Sequence, residues 1–379
     1  MKKIALIGST GSIGKQTLSV VRRHPDKFKV ISIAAGTKDG DFLSQVNEFN
    51  PKVATLSFEP KDIKQNIPKG VDFYSGEDAF LNAIIPEADI VLVALVGFKG
   101  ILAVLKAIEL GKDIALANKE SLVVGGELVM QKAKEKGVKI MPVDSEHSAI
   151  WQALNFDTEK EFKKIILTCS GGAFRDLTKE QLQNVTVKQA LSHPNWNMGA
   201  KITVDCATLV NKAFEVIEAK WLYNTSFDKI DVIIHRESII HSMVEFNDNS
   251  VMAQLSYPSM ELPITLALTK GERIDAGINS LDFKALSKLS FEEIDNDRFP
   301  CFNLVCSSAK FGGTIPAVIN GANEQAVNMF LSNKITYTDI YKGIYGAVQS
   351  YFGSNHVEID HLIEADTFGR IYVKELFGE

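Results

Sequence analysis

Cysteine is scarce in this sequence. Four occur in 379 residues (Cys169, Cys206, Cys301 and Cys306), with no CxxC pair and no zinc-ligand spacing. That excludes a disulfide-stapled secreted scaffold and a cysteine-based zinc domain, and it leaves reduced thiols in a cytoplasmic protein. An excess of positive charge is also missing. Lys and Arg number 41 against 47 Asp and Glu, a formal net charge of −6, whereas gripping nucleic-acid phosphates needs a basic field. Long apolar runs are absent too. The longest, Ile90 to Phe98, is about half a membrane span. The opening Met1-Lys2-Lys3 with Ile4 to Ile7 looks like a signal start, but it gives way at once to Gly-Ser-Thr-Gly, too soon for an h-region. Neither a nucleic-acid partner nor a membrane is expected.

What is present reads as an enzyme of ordinary composition, with 45% hydrophobic and 23% charged residues in a chain long enough for two or three domains. From residue 1 to about 145, short β-branched runs alternate with amphipathic helices. Strands are expected at 3–7, 29–34, 53–56, 90–95, 113–117 and 139–143, with helices clearest at 11–23, 100–110 and 126–136. Repeated βα units imply a parallel, doubly wound α/β sheet that takes ligands outside the carboxyl ends of its strands. From 146 to about 280 the texture becomes α+β, with strands at 165–168, 230–234, 242–246 and 251–256. A Gly-, Pro-, Asn- and Trp-rich stretch from Ser170 to Lys201 reads as a lid. From 281 to 379 the pattern is helical, clearest at 316–332, 336–351 and 361–377.

Gly8-Ser-Thr-Gly-Ser-Ile-Gly14 joins the first strand to the first helix. Glycines at that turn let the backbone approach a pyrophosphate, which the helix N-terminus attracts. The second strand ends in Gly36-Thr37-Lys38 with no acid to grip a ribose hydroxyl. Lys38, with Thr37, could take a 2′-phosphate, favouring NADP; a solvated loop lysine is the alternative.

The chemistry is concentrated elsewhere. Asp144 and Glu146 flank Ser145 after a short apolar strand. In extended backbone, residues two apart share a side, so both carboxylates reach one cation, and Glu215 supplies a third oxygen ligand. A site of carboxylates alone selects Mg²⁺ or Mn²⁺ over zinc. Thr208, Asn211, Lys212 and Glu215 follow helical spacing and form one polar stripe on an otherwise apolar helix, suited to an anionic, oxygen-rich substrate. Ser170-Gly-Gly could wrap an anion with backbone N–H groups. His193 and Trp196 offer a phosphate-binding imidazole and an aromatic cover, and Lys119, between Asn118 and Glu120, could reach the substrate.

Taken together, GSTGSIG at 8–14, LANKESLVVGG at 116–126, PVDSEHSAIWQ at 142–152, SGGAFR at 170–175, SHPNWNMGAKITVD at 192–205 and NGANE at 320–324 resemble the 1-deoxy-D-xylulose 5-phosphate reductoisomerases. The resemblance runs in order over nearly the whole chain. It implies an N-terminal Rossmann-like NADPH domain (1–145), a central catalytic and dimerisation domain with a lid (146–280), a C-terminal helical domain (281–379), and a homodimer. It also implies the NADPH- and Mg²⁺- or Mn²⁺-dependent conversion of a sugar phosphate, 1-deoxy-D-xylulose 5-phosphate, to 2-C-methyl-D-erythritol 4-phosphate in non-mevalonate isoprenoid synthesis. Carried over by motif, Thr10, Gly11, Ser12, Ile13, Gly36, Thr37, Lys38, Asn118, Glu120 and Gly199 would bind NADPH. Asp144, Glu146 and Glu215 would hold the metal. Lys119, Ser145, Glu146, Ser170, His193, Trp196, Cys206, Asn211, Lys212 and Glu215 would meet the substrate. Two positions depart from the family pattern: Cys206 stands where serine is usual, and Ala173 where proline is usual.

Overall fold

The computed structural model describes residues 1–36, 39–58, 63–196 and 198–378; Thr37 and Lys38 lie outside the described residues. The chain forms two compact units. The first comprises 1–118, 129–148 and 259–279, the second 119–128, 149–258 and 280–379. Residues 259–279 thus group with the first unit, and the helices after 281 group with the second.

In the first unit, β1 (Lys2–Ile7), β2 (Phe28–Ala35), β3 (Val53–Leu56), β4 (Asp72–Ser75), β5 (Ile90–Val93), β6 (Asp113–Leu116) and β7 (Ile140–Pro142) form one sheet in the order β4-β3-β2-β1-β5-β6-β7. Every pairing is parallel. The inner strands are apolar on both faces, with Ile4 to Ile7 and Ile90 to Val93 fully buried, as helices on each side of a parallel sheet require. β1 lies between β2 and β5, where the strand order reverses, so the glycine turn after it sits at the switch point where such sheets bind ligands. The unexpected strand is β4. Asp72, Tyr74 and Ser75 are exposed and Phe73 only half-buried, so this edge strand has no apolar run to betray it. The helix Glu261–Thr269 joins the unit through Arg23, whose guanidinium pairs with Glu261 at 2.9 Å and donates to the Ala276 carbonyl at 2.8 Å.

The second unit carries a four-stranded mixed sheet, β8 (Lys164–Cys169), β9 (Ile230–Ile234), β10 (Ile240–Glu245) and β11 (Val251–Leu255), in the order β11-β10-β8-β9. Its helices include Pro300–Ala309, Ile315–Leu331, Tyr337–Ser350 and Ile359–Leu376. Ile315–Leu331 is buried nearly all round, which makes it the spine of this part.

Two local expectations need correction. Residues 144–146 are not extended. A helix runs from Ser145 to Ala153, and Asp144 takes the capping position, its carbonyl accepting from Ser148 N–H at 2.8 Å. Aspartate just before a helix is a strong N-cap signal, and it outweighs the extended reading. The stripe from 205 to 215 is not one helix either. Leu209 adopts a left-handed conformation (φ 60°), separating Ala200–Thr208 from Val210–Leu222. Thr208 is the cause in the sequence: its hydroxyl donates to the Asp205 carbonyl at 3.1 Å and accepts from Val210 N–H at 3.4 Å, competing with the helical ladder.

Candidate active site

In the first unit the glycine turn is fixed by close packing. Gly8 has φ 101°, and a Cβ there would lie 2.4 Å from the Ala94 carbonyl oxygen; one on Gly14 would lie 2.3 Å from the Gly8 carbonyl oxygen. Gly8 and Ser9 N–H groups donate to Ala34, and Gln45 holds the Ser9 carbonyl at 3.1 Å. The helix starts at Ser12 with Gly11 as a cap that offers no side-chain hydrogen bond, so the first-turn N–H groups at Ser12 and Ile13 remain for an anion. Thr10 is buried within the turn and Gly36 is exposed at the end of β2. Asn118 packs against Gly100, and its amide donates to the carbonyls of Leu95 and Gly97, each at 3.0 Å. Its side chain therefore shapes the loop after β5. Asp144 and Glu146 are both half-buried beyond the end of β7, and buried Ser145 donates to Glu146 at 2.6 Å.

The second unit gathers a cluster of buried charge around Glu215. Glu215, 1% exposed, accepts from Lys119 at 3.0 Å, from the Asn211 amide at 2.6 Å, and from Lys212. Lys119 also donates to the Asn211 carbonyl oxygen at 2.7 Å. A lone buried carboxylate would cost several kcal/mol, and the two ammonium groups offset that cost.

Beside it, Ser170-Gly171-Gly172 turns with both glycines at positive φ, and a Cβ on Gly172 would lie 2.3 Å from the Cys206 carbonyl oxygen. His193 faces Ser170, Nε2 to Oγ 3.0 Å. Its Nδ1 accepts the backbone N–H groups of Asn195 (3.2 Å) and Trp196 (3.0 Å), which places the ring proton on Nε2. Burial and the Arg175 charge lower its pKa to about 4. Ser170 Oγ accepts from His193 and from Gly172 N–H at 3.2 Å, leaving the hydroxyl proton for a further acceptor. Trp196 is half-buried and tilts toward His241, ring centres 6.3 Å apart. Burial holds the half-buried Cys206 thiol well above its usual range, so it is neutral. Ala173, at the other departure, is half-buried in the loop.

One network was not legible as functional in the sequence. Glu120 pairs with Lys201 at 2.7 Å; Lys201 pairs with Asp205 at 2.9 Å; Asp205 accepts from Asn323 at 2.8 Å. Burial opposes the charge on Glu120, but Lys201 outweighs it and the carboxyl lies below its ordinary range. For Asp205 burial prevails and the pKa is raised. Glu120 is thus tied to Lys201 by its side chain, and Gly199 caps the Ala200–Thr208 helix without a side chain of its own. The signal lay in NGANE, which puts Asn320 and Asn323, both fully buried, on an apolar helix.

Sequence profiles of one family match most of the chain. The profile described as 1-deoxy-D-xylulose 5-phosphate reductoisomerase matches residues 4–126, and two C-terminal-domain profiles of the same enzyme match 140–223 and 255–372. The proteins of that name from Exiguobacterium sibiricum and Clostridium kluyveri are each 47% identical, over 99% and 100% of both chains respectively. The chain belongs to the 1-deoxy-D-xylulose 5-phosphate reductoisomerase family. Among solved structures, the reductoisomerase in complex with NADPH, fosmidomycin and magnesium superposes with a TM-score of 0.94 at 35% identity, covering all of this chain and 98% of the other. The Zymomonas mobilis reductoisomerase bound to NADPH gives 0.93 at 36%, covering 100% and 99%.

Proposed function

We propose that this chain carries out the family's reaction, the NADPH- and divalent-metal-dependent rearrangement and reduction of 1-deoxy-D-xylulose 5-phosphate to 2-C-methyl-D-erythritol 4-phosphate, in non-mevalonate isoprenoid precursor synthesis. The observation that carries this is the buried Glu215 ringed by Lys119, Asn211 and Lys212 in a chain of this family. The uncapped first turn after Gly11 suits the NADPH pyrophosphate, with Thr10, Ser12, Ile13, Gly36, Thr37, Lys38, Asn118, Glu120 and Gly199 completing the cofactor site. Asp144, Glu146 and Glu215 would hold Mg²⁺ or Mn²⁺, an all-oxygen donor set that fits a hard cation. When bound, the ion stabilises negative charge on substrate oxygens during rearrangement, and NADPH supplies hydride to the resulting aldehyde.

The chain's own residues do the rest. Ser170, His193, Asn211 and Lys212 bind the phosphate. Lys119 and Ser145 orient the substrate's oxygens, and Lys119 helps to offset developing negative charge. Trp196, on the lid segment 170–201, covers the substrate and excludes water. The 1–145 segment carries most of the cofactor site along with Lys119, Asp144 and Ser145, 146–280 carries Glu146, Glu215, most of the substrate site and the contact in a homodimer, and 281–379 is a helical support. A cytoplasmic location fits a chain in which no helix of the described residues is long and apolar enough to cross a membrane.

The test is NADPH oxidation with 1-deoxy-D-xylulose 5-phosphate after chelation, then with Mg²⁺ or Mn²⁺ restored. Turnover should vanish and return. Undiminished oxidation in chelator would favour a plain dehydrogenase.

Two further results are expected. Cys206→Ser should keep its turnover and lower the substrate KM by up to about tenfold, because a hydroxyl donates a better hydrogen bond than a neutral thiol. Loss of most turnover would give the sulfur a role of its own. His193 should bind phosphate as a neutral donor, because two backbone N–H groups already face Nδ1 and a second proton has no acceptor there. The ratio of substrate KM between His193→Gln and the unaltered enzyme should therefore stay flat from about pH 5.5 to 8, the range in which an ordinary histidine changes charge. A ratio that grew as pH fell would mean that the imidazolium does the binding.

A further inference from the structure

The two loops that present Ser170 and His193 share one anchor. The Arg236 carbonyl accepts from the Asn195 amide at 2.8 Å and from Arg175 Nη1 at 3.3 Å, and the same Arg175 nitrogen donates to the Ser170 carbonyl at 3.0 Å. Asn195 also donates to Ser238 Oγ at 2.6 Å. The anchor is itself braced. Arg236 pairs with Asp176 at 2.5 Å and grips Glu292 with two nitrogens, and Ser238 closes the turn with φ 52° by donating its N–H to the His235 carbonyl at 3.2 Å. His193 makes no such bond with that turn. Its Nδ1 is occupied by the N–H groups of Asn195 and Trp196, so the ring follows the backbone that Asn195 fixes.

We propose that Asn195 is a positioning residue for substrate phosphate. Its amide pins the 193–196 segment to the 235–238 turn, and this holds His193 Nε2 3.0 Å from Ser170 Oγ, so that both side chains face one anion. The inference rests on the reading of Ser170 and His193 as phosphate ligands. Both amide hydrogens are spent on the anchor, so the property that matters is the donor and not the volume. Asn195→Asp keeps the shape but sets a carboxylate against a carbonyl and a hydroxyl, and Asn195→Ala removes the anchor altogether.

A double-mutant cycle on the full-length enzyme tests this, with 1-deoxy-D-xylulose 5-phosphate as the probe and NADPH and metal saturating. Asn195→Ala and Asn195→Asp should each raise the substrate KM about tenfold, the worth of one or two hydrogen bonds, with kcat within about threefold and the NADPH KM unchanged. Because Asn195 acts through His193, adding Asn195→Ala to His193→Gln should cost less than about a further twofold. Effects that multiply, an unchanged KM in Asn195→Ala, or a full-strength Asn195→Asp would each overturn the proposal. If His193→Gln alone leaves KM unchanged, the phosphate reading itself falls and this inference goes with it.

Discussion

Glu215→Gln should lower turnover by about a thousandfold or more while leaving NADPH affinity within about threefold, the scale expected when a preorganised charge at the reacting centre is lost. The glutamine amide keeps the shape but not the charge that Lys119 and Lys212 now face in a buried setting. It would also weaken the grip on a dication. Cofactor binding is spared because Glu215, like Asp144, lies outside the glycine turn at 8–14. Steady-state kinetics over a metal titration and a fluorescence titration of NADPH decide the matter. Near-normal turnover without excess metal would remove Glu215 from the ligand set. Asp144→Asn is expected to behave alike.

Lys201→Met should be the most damaging single change to stability. Glu120 and Asp205 are buried and both rely on this ammonium. Removing one partner of a buried ion pair typically costs ~3–5 kcal/mol, most of it from the charge left behind. The sign with pH follows from the carboxylates. With Lys201 present, Glu120 has a depressed pKa, so its contribution is present above the ordinary carboxyl range and fades as pH falls below it. Without Lys201, burial would lift Glu120 above its ordinary range and push the already raised Asp205 higher still, so the folded state would hold more protons than it does with the cation in place. The deficit should therefore be largest near pH 8 and shrink as pH falls toward about 4.5. Chemical denaturation at several pH values measures it, with Lys201→Arg expected to restore most of the loss. A methionine variant as stable as the parent at neutral pH would show that these carboxylates do not need the cation.

Much of the first unit was legible because a parallel sheet buried on both faces writes itself as apolar runs separated by amphipathic helices. β3 and β9 fall on the expected residues, and other expected strands are offset by one or two. β4 was not legible, since an exposed edge strand needs no such run. The site was readable as motifs but not as local geometry. Asp144 to Glu146 looks extended until Asp144 is recognised as a helix cap, and nothing in a hydrophobic period announces the left-handed break at Leu209. Hydrogen bonds between distant segments, such as Asn323 to Asp205 across 118 positions and Asn195 to Arg236 across 41, leave no local trace. Only the oddity of asparagine on buried or constrained backbone hints at them.

Rearrangement together with reduction sets this chemistry apart from ketone reduction, and the product's carbon skeleton reports on both. The full-length enzyme would be given 1-deoxy-D-xylulose 5-phosphate, Mg²⁺ and NADPH deuterated at the transferable hydride, and the product examined by proton and carbon NMR. The expected product is a branched tetrol phosphate, its methyl on a quaternary carbon and a single deuterium on the new hydroxymethyl carbon. An unbranched product with deuterium on the former ketone carbon would contradict it and reduce the protein to an ordinary ketone reductase.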